Sequence, residues 1–293
     1  MCGIAGFCLS KQQQNKSRAN IVAKQMLRDI EHRGTHATGS AYLDTKSNGL
    51  VLTKKNITAS KFIKEHAVCG SNTNAVILHT RYATQGAPTN NKNNHPIQRG
   101  NIVLTHNGHI SNDDELFEQC STKRSGEVDS EAAAALIAFG TGTLKQKLES
   151  IKGSAALAWI EKNKPGILHL ARVKSSPLWV GQSNDGSLFY GSTKQTVTNA
   201  VIDARVTLDW CYELKEGEYI KVKDGVIVEW LYFTPPKDEK KYTYNYSGWS
   251  MDYYNPAPKS SNKYGNSYRY EYDYVTKAWY DWESDSYYDE IPF

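Results

Sequence analysis

The second residue of the chain is a cysteine, and its position gives it the most distinctive chemistry in the sequence. If Met1 is removed, Cys2 carries a thiol and a free α-amine on one residue. An α-amine titrates at about 8, so it can accept the proton of its own thiol and leave a nucleophilic thiolate. The alternative is structural, because free cysteines are commonly small buried hydrophobic residues. Position alone leaves both interpretations open.

Four polar segments each follow an apolar stretch or open a helix, where side chains commonly face a cleft. Taken singly, each has an ordinary structural explanation: a surface ion pair for arginine, a turn for Asn-Gly, a helix cap for aspartate. The segments are His32-Arg33-Gly34 with Ala37-Thr38-Gly39, His79 to Gly86, His106 to Ile110, and Asp129-Ser130-Glu131. Their meaning therefore depends on whether the fold brings them together.

Hydrophobic patterns predict the elements that carry these segments in a β-rich domain with two or three helices. Apolar runs predict strands at Cys2–Leu9, Ala75–His79, Asn101–Thr105, 155–160, 167–173, 178–180 and 188–190, and a hairpin of Tyr219–Val222 and Val226–Trp230 around Asp224-Gly225. Helical spacing predicts helices at Asn20–Glu31, Ala132–Phe139 and about Leu144–Ile151. Two sheets covered by helices follow from this pattern, since parallel βαβ repetition is not evident.

Composition narrows the class of protein. The net charge of +4 is carried by scattered basic residues, which does not indicate nucleic-acid binding. Five cysteines, an odd number with no CxxC pair, favour reduced thiols in the cytoplasm over a disulfide framework or a zinc site. No apolar run reaches the 18 or so residues that a membrane-spanning helix requires.

The composition changes after Phe233. Thirteen of the 19 tyrosines lie in residues 234–293, which contain few aliphatic residues. Such a segment cannot bury enough aliphatic surface to fold alone, so we expect a low-complexity tail that is disordered or docks onto the domain or a partner. The alternation in Tyr268–Tyr274 also fits an added edge strand.

Taken together and in this order, Cys2 and the polar segments resemble the class II glutamine amidotransferases, whose glutaminase domain belongs to the N-terminal nucleophile hydrolases. The resemblance covers about residues 2–220. It implies an α+β fold, a four-layer αββα sandwich of two mainly antiparallel sheets, occupying residues 2–233. It also implies hydrolysis of the side-chain amide of L-glutamine through a γ-glutamyl thioester, with no cofactor and no metal.

The resemblance implies a role for each matched residue. Cys2 is the nucleophile, and the Asn107 side chain with the Gly108 N–H forms the oxyanion hole. Arg81 binds the substrate α-carboxylate and Asp129 its α-ammonium group. The remaining matches line or support the site: Tyr82, Thr84 and Gln85 as substrate-binding residues, Arg33 and Gly34 as supporting residues.

The sequence departs from the family pattern in three places. Many members have Trp at Tyr82 and His at Gln85, and His36 stands where an acid or amide is common. The 60 residues after Phe233 are also too few and too poor in aliphatics for the family's synthase domains, and they contain no nucleotide-binding P-loop.

We therefore expect a glutaminase that supplies ammonia to a separate synthase subunit, with no nucleic-acid or membrane partner. Two alternatives stay open: an amidohydrolase of another γ-glutamyl amide, and a catalytically silent binding protein of the same fold that acts through its tail.

Overall fold

The computed structural model describes residues 2–11, 18–44, 46–47 and 49–237, and the backbone of three short strands near the C-terminus. The chain divides into two units, residues 1–239 and 240–293. Within the described part of the first unit the strands are β1 (Gly3–Cys8), β2 (Ala37–Asp44), β3 (Gly49–Lys55), β4 (Thr73–Arg81), β5 (Ile97–Arg99), β6 (Ile102–Ile110), β7 (Gly153–Glu161), β8 (Ile167–Lys174), β9 (Trp179–Ser183), β10 (Leu188–Gly191), β11 (Leu208–Glu213), β12 (Glu218–Lys223) and β13 (Val226–Tyr232).

Six α-helices occur among the same residues, where the sequence predicted two or three. They are α1 (Ala19–Asp29), α2 (Ala59–Glu65), α3 (Asp113–Gln119), α4 (Ser130–Phe139), α5 (Leu144–Glu149) and α6 (Lys194–Ala204). The predictions of α1, α4 and α5 are confirmed. Two of the three missed helices, α2 and α3, have only seven residues each, too few to show a helical period clearly.

The strands form two antiparallel sheets. The first has the order β11-β9-β10-β1-β4-β2-β3 and the second the order β13-β12-β8-β7-β6-β5. Alternate side chains of the two sheets meet in a buried apolar layer that includes Ile4, Ile77, Val103 and Leu170. The opposite faces of the sheets pack against helices, α1, α2 and α6 on the first sheet and α3, α4 and α5 on the second. The predicted four-layer αββα sandwich is confirmed.

The strand β6 is longer than the sequence predicted. Asn107 and Gly108 continue the strand and pair with Ala156 and Ala155 of β7, so the Asn-Gly pair is not a turn. Gly108 has a φ of +142°, and a Cβ at this position would overlap the carbonyl oxygen of Ser154. Only glycine can hold this backbone conformation within the ladder.

The second unit contains the backbone of three strands, β14 (Tyr270–Asp273), β15 (Ala278–Asp281) and β16 (Ser286–Tyr288). They pair antiparallel with one another in that order. The first of them lies in the segment whose alternation fitted a strand. Most of the tyrosine-rich tail lies outside the described residues, so its expected disorder or docking stays a prediction.

Among the described residues no helix is long and apolar enough to cross a membrane.

Candidate active site

Antiparallel pairing of β1 with β4 brings Cys2 next to the polar segment that begins at His79. Gly3 pairs with Thr80, which leaves Cys2 and Arg81 as the next residues along the two strands. A narrow cleft, partly open to solvent, lies at this end of the sandwich, and its cavity volume is about 20 Å³. Its lining includes most of the predicted site residues: Cys2, Arg81, Tyr82, Thr84, Gln85, Gly108 and Asp129, together with His95, His106, Val128 and Ser130.

The Cys2 thiol is partly buried, and Cys2 immediately precedes β1. Its Sγ is 3.6 Å from the carbonyl oxygen of Tyr82, and the Cys2 carbonyl accepts a hydrogen bond of 3.1 Å from Arg33 Nε. Burial raises the pKa of the Cys2 thiol, the Tyr82 contact and Arg81 oppose that shift, and Asp129 adds to it. The thiol is therefore the favoured form at neutral pH, and a base must remove its proton before it can attack.

Arg33 and Gly34 hold the strand ends in place behind the cleft. Arg33 fixes the backbone of Cys2, and a Cβ on Gly34 would overlap the backbone of Arg81 and Tyr82. The short loop before β2 can therefore approach the end of β4 closely. Neither residue lines the cleft.

Arg81 carries a buried positive charge without an acidic partner in the described chain. Its guanidinium donates to Asn94 Oδ1 at 2.8 Å and to the carbonyl oxygens of Gln85 and Gly86. No carboxylate of the described residues lies within salt-bridge distance of it. A guanidinium has five N–H donors, so these three bonds leave capacity for an anion. A buried cation that is held only by neutral oxygens favours an anionic ligand.

Asp129 lies on the other side of the cleft at the N-terminus of α4. Its Oδ1 accepts from Ser130 N at 2.8 Å and from Ser130 Oγ at 3.2 Å, and its Oδ2 accepts from Ile110 N at 2.7 Å. The ring of His106 lies 2.8 Å from Ser130 Oγ through Nδ1. Burial lowers the pKa of His106, against the raising effect of Asp129. The carboxylate is therefore held by two backbone amides and the Ser130 hydroxyl, with His106 Nδ1 3.9 Å and His109 Nδ1 3.6 Å from its oxygens.

Asn107 is fully buried, and neither polar atom of its side chain has a hydrogen-bond partner within the described residues. Side chains alternate along a strand, so Asn107 shares the inner face of β6 with Val103. Cys2 likewise precedes Ile4, a residue of the inner face of β1. A buried amide without a partner costs about 1–3 kcal/mol. Asn107 itself is not among the residues that line the cleft, although its neighbour Gly108 is.

The loop that follows β4 forms the outer wall of the cleft. Tyr82 is 50% exposed, and Thr84 and Gln85 are exposed as well. His36 holds this wall, because its ring stacks on Tyr82 at 5.0 Å and its Nδ1 accepts a 2.9 Å hydrogen bond from Ala83 N. An exposed histidine thus fills the position where an acid or amide is common in the family that the sequence resembles.

Glu131 anchors the loop that leads into α4. It is 2% exposed and pairs with Arg99 at 2.7 Å. It also accepts hydrogen bonds from Ser125 and from Gly126 N. Burial acts to raise the pKa of Glu131, and these hydrogen bonds and Arg99 outweigh it, so the pKa lies below the usual 4.5.

Sequence reasoning missed the residues that hold the site residues in place. The Asn93-Asn94-His95-Pro96 segment, a polar run between two strands, could have drawn attention to Asn94, which binds Arg81. His106 and Glu131 lie in two of the polar segments, but the sequence predicted no role for either residue. His36 was recognised only as a departure. Across the described residues, no group of three or more His, Cys, Asp and Glu side chains could hold a metal ion.

Comparison with known proteins identifies the family. The profile of a glutamine amidotransferase domain matches residues 79–199. The isomerizing glutamine–fructose-6-phosphate aminotransferase of Gluconobacter oxydans is 33% identical over 231 residues, which are 72% of this chain and 35% of that protein. The enzyme of the same name from Streptococcus pneumoniae is 34% identical over 192 residues, 62% of this chain and 30% of that protein.

The chain belongs to the class II glutamine amidotransferases.

Solved structures agree on the amidotransferase fold. The glutamine phosphoribosylpyrophosphate amidotransferase of B. subtilis superposes with a TM-score of 0.62 at 22% identity, over 80% of this chain and 49% of that one. A structure described as the allosteric regulatory enzyme of purine biosynthesis gives 0.63 at 21% identity over the same shares. This amidotransferase chain spans about a third of the length of the curated relatives that it matches.

The Glu131–Arg99 pair generates a prediction about stability and pH. Glu131→Gln leaves Arg99 buried without its counterion, so the free energy of unfolding at pH 7 should fall by about 3–5 kcal/mol. A depressed carboxyl pKa stabilises the fold above the unfolded value of 4.5, and this contribution is lost as the pH falls through the folded-state pKa. The difference in the free energy of unfolding between wild type and Glu131→Gln should therefore become smaller below pH 4.5.

Urea unfolding across a pH series measures this difference. Glu118→Gln is the matched control, because Glu118 is exposed on α3 and should change stability little at any pH. A constant difference between wild type and Glu131→Gln from neutral pH to below pH 4.5 would contradict the assignment.

Proposed function

We propose that the domain hydrolyses the side-chain amide of L-glutamine to glutamate and ammonia, with Cys2 as the nucleophile. The observation that supports this most directly is the charge arrangement of the cleft. The Cys2 thiol shares one small cavity with a buried cation, Arg81, and a buried anion, Asp129. A zwitterionic amino acid with a reactive group at the far end of its side chain matches this arrangement.

Arg81 is proposed to bind the α-carboxylate and Asp129 the α-ammonium group. A guanidinium matches a carboxylate in shape and can donate two parallel hydrogen bonds. Oδ1 of Asp129 accepts from the backbone N–H and the hydroxyl of Ser130, whereas Oδ2, among the described residues, accepts only from Ile110 N and has a lone pair to spare for an ammonium group. The side-chain amide of the substrate then extends toward Cys2.

Removal of Met1 supplies the base in this mechanism. The α-amine of Cys2, through a water molecule, accepts the thiol proton, and the thiolate sulfur forms a bond to the amide carbon. The oxygen gains a negative charge, which the Asn107 side chain and the Gly108 N–H stabilise. The ammonium then returns its proton to the departing ammonia, and water hydrolyses the thioester to glutamate. One preset oxyanion donor lowers a barrier by about 3 kcal/mol.

The supporting residues keep their proposed roles. Tyr82 gives an aromatic wall, and Thr84 and Gln85 offer polar groups at the rim of the same cavity. Arg33 and Gly34 set the position of Cys2 through the contacts described above.

The proposal extends to an acceptor. We propose that residues 2–233 form the glutaminase, that ammonia passes to a separate synthase subunit in the cytoplasm, and that residues 234–293 dock on that partner. Relatives with matching glutamine-dependent domains are named for amino transfer to fructose 6-phosphate. The five free thiols are compatible with a reducing compartment.

Substitution of Cys2 tests the nucleophile. Cys2→Ala should abolish ammonia release from L-glutamine, since no other group of the cleft can form the thioester. Cys211→Ala, a change of another free and partly exposed cysteine, should leave the rate unchanged. An enzyme-coupled ammonia assay measures the rates, and intact-mass spectrometry checks that Met1 is absent. Full activity in Cys2→Ala would refute the mechanism.

Substitution of the two charged residues tests the substrate. Arg81→Gln and Asp129→Asn should each raise the KM for L-glutamine by about 10- to 100-fold, because each removes a charge-assisted hydrogen bond to the substrate. γ-Glutamyl amides whose α-amino group is acylated should be poor substrates of the wild-type protein. Faster cleavage of such an amide than of L-glutamine would favour the alternative amidohydrolase.

Truncation tests the partner. Crosslinking the full chain in extracts of its native host should recover a synthase, and a chain ending at Phe233 should lose it while it keeps its basal glutaminase rate. Addition of the purified partner should raise the ammonia release of the full chain. Equal stimulation of both chains would argue against docking through the tail.

A further inference from the structure

Lys54 is a second cation close to Arg81, and its surroundings differ from those of an ordinary surface lysine. It lies near the end of β3 and is partly buried. Its Nζ donates to the carbonyl oxygens of Asn94 and Pro96 at 2.7 and 3.1 Å. No carboxylate of the described residues lies within salt-bridge distance of this ammonium group. The lysine thus uses its charge to hold a backbone segment rather than a counterion.

The segment that Lys54 holds is the one that orients Arg81. The Asn94 side chain accepts from Arg81 Nη1 at 2.8 Å and donates to Pro88 O at 2.7 Å. The neighbouring residue, His95, lines the cleft. Because Lys54 binds the backbone on both sides of His95, it fixes the segment at the point where Asn94 meets Arg81.

We propose that Lys54 is a positioning residue for substrate binding, which holds the Asn94–Pro96 segment so that the Arg81 guanidinium is preset for the α-carboxylate. The inference rests on the proposed function. It assigns no contact between Lys54 and the substrate. The effect of Lys54 should therefore be on the KM for glutamine, with the chemical step at Cys2 nearly unchanged.

The charge of Lys54, and with it the strength of its hydrogen bonds to the segment, depends on pH. Burial lowers the pKa of Lys54 to about 8, Glu131 on α4 opposes that shift, and Arg81 on β4 adds to it. Burial also lowers the pKa of His79 to about 3 and holds that of His95 well below its usual range. Among these neighbours, Lys54 is the group that loses its charge between about pH 7 and 9.

Loss of the Lys54 proton weakens its hydrogen bonds to the two carbonyl groups. The segment and Arg81 should then be less firmly held, and the KM of the wild-type protein should rise across this range. The α-amine of Cys2 titrates in the same interval, at about 8, but it acts on the chemical step. A variant with a permanent charge at residue 54 separates the two effects.

Kinetics of ammonia release from L-glutamine by the full chain test the proposal. At pH 7, Lys54→Met should raise the KM by about tenfold with kcat within about twofold of wild type, the loss expected for charge-assisted hydrogen bonds. Lys54→Arg keeps the charge and should restore a low KM. Lys55→Met, a change of the exposed neighbouring lysine, is the matched control and should alter neither constant.

The pH series supplies a second readout that a merely structural role would not change. From about pH 7 to 9 the KM of wild type should rise more steeply than that of Lys54→Arg, because both share the loss of the substrate's own α-ammonium proton and only wild type also loses the charge at residue 54. Lys54→Met should melt close to the wild-type Tm, because removal of a partly buried charge without a counterion offsets the loss of its two hydrogen bonds.

Three outcomes would overturn the proposal: a wild-type KM in a folded Lys54→Met, a fall in kcat alone, or parallel KM profiles for wild type and Lys54→Arg. If Lys54→Met does not fold, the pH profiles of KM for wild type and Lys54→Arg still test the proposal. Absence of ammonia release by the wild-type protein with a free Cys2 amine would instead refute the proposed function.

Discussion

The antiparallel pairing of β1 with β4 is the constraint on which the rest of the site depends. It places the first residue before β1 beside the last residue of β4, and so sets a thiol next to a buried guanidinium. The register cannot slip by one residue, because Ile4 and Ile77 would then leave the layer between the sheets for the opposite face. The free energy that fixes the position of Cys2 thus comes from apolar burial along the whole strand, not from contacts at the cleft.

The second sheet contributes the rest of the site, and its strands are held in place in the same way, by strand pairing and by packing between the sheets. The inner faces of β4 and β6 meet where the ring of His79 lies 3.1 Å from the carbonyl oxygen of His106, which fixes the start of the His106-Asn107-Gly108 segment opposite β4. The pairing of Gly108 with Ala155 within the β6–β7 ladder prevents this segment from relaxing into a turn. A packed sandwich can therefore hold an unpartnered amide at Asn107, which an isolated loop would rotate toward water.

Two cations lie near the cleft, the buried Arg81 that lines it and the partly buried Lys54 behind it, and neutral oxygens hold both. Arg81 and Lys54 both donate to carbonyl or amide oxygens of the segment between β4 and β5. This arrangement orients the cations without neutralising them, so their field stays directed at whatever enters the cavity. An acidic partner would have stabilised them more and left less for a ligand. In the proposed mechanism these charges serve substrate binding, and the apolar layers offset their cost.

The sequence by itself determined the kinds of chemistry and the larger elements. Cys2, Arg81, the Asn107-Gly108 pair and Asp129 were recognisable only as a set in the order of the family, because each has an ordinary structural explanation when taken singly. Long apolar runs predicted most strands. The tertiary structure decided which of these groups meet, the extension of β6 through Gly108, and the short helices α2 and α3. It also revealed Asn94, Lys54 and Glu131 as the residues that hold the site in place. Lys54 bonds to backbone carbonyls about 40 residues away, and Asn94 and Glu131 bind arginine side chains of other strands. No local pattern of residue types records such contacts.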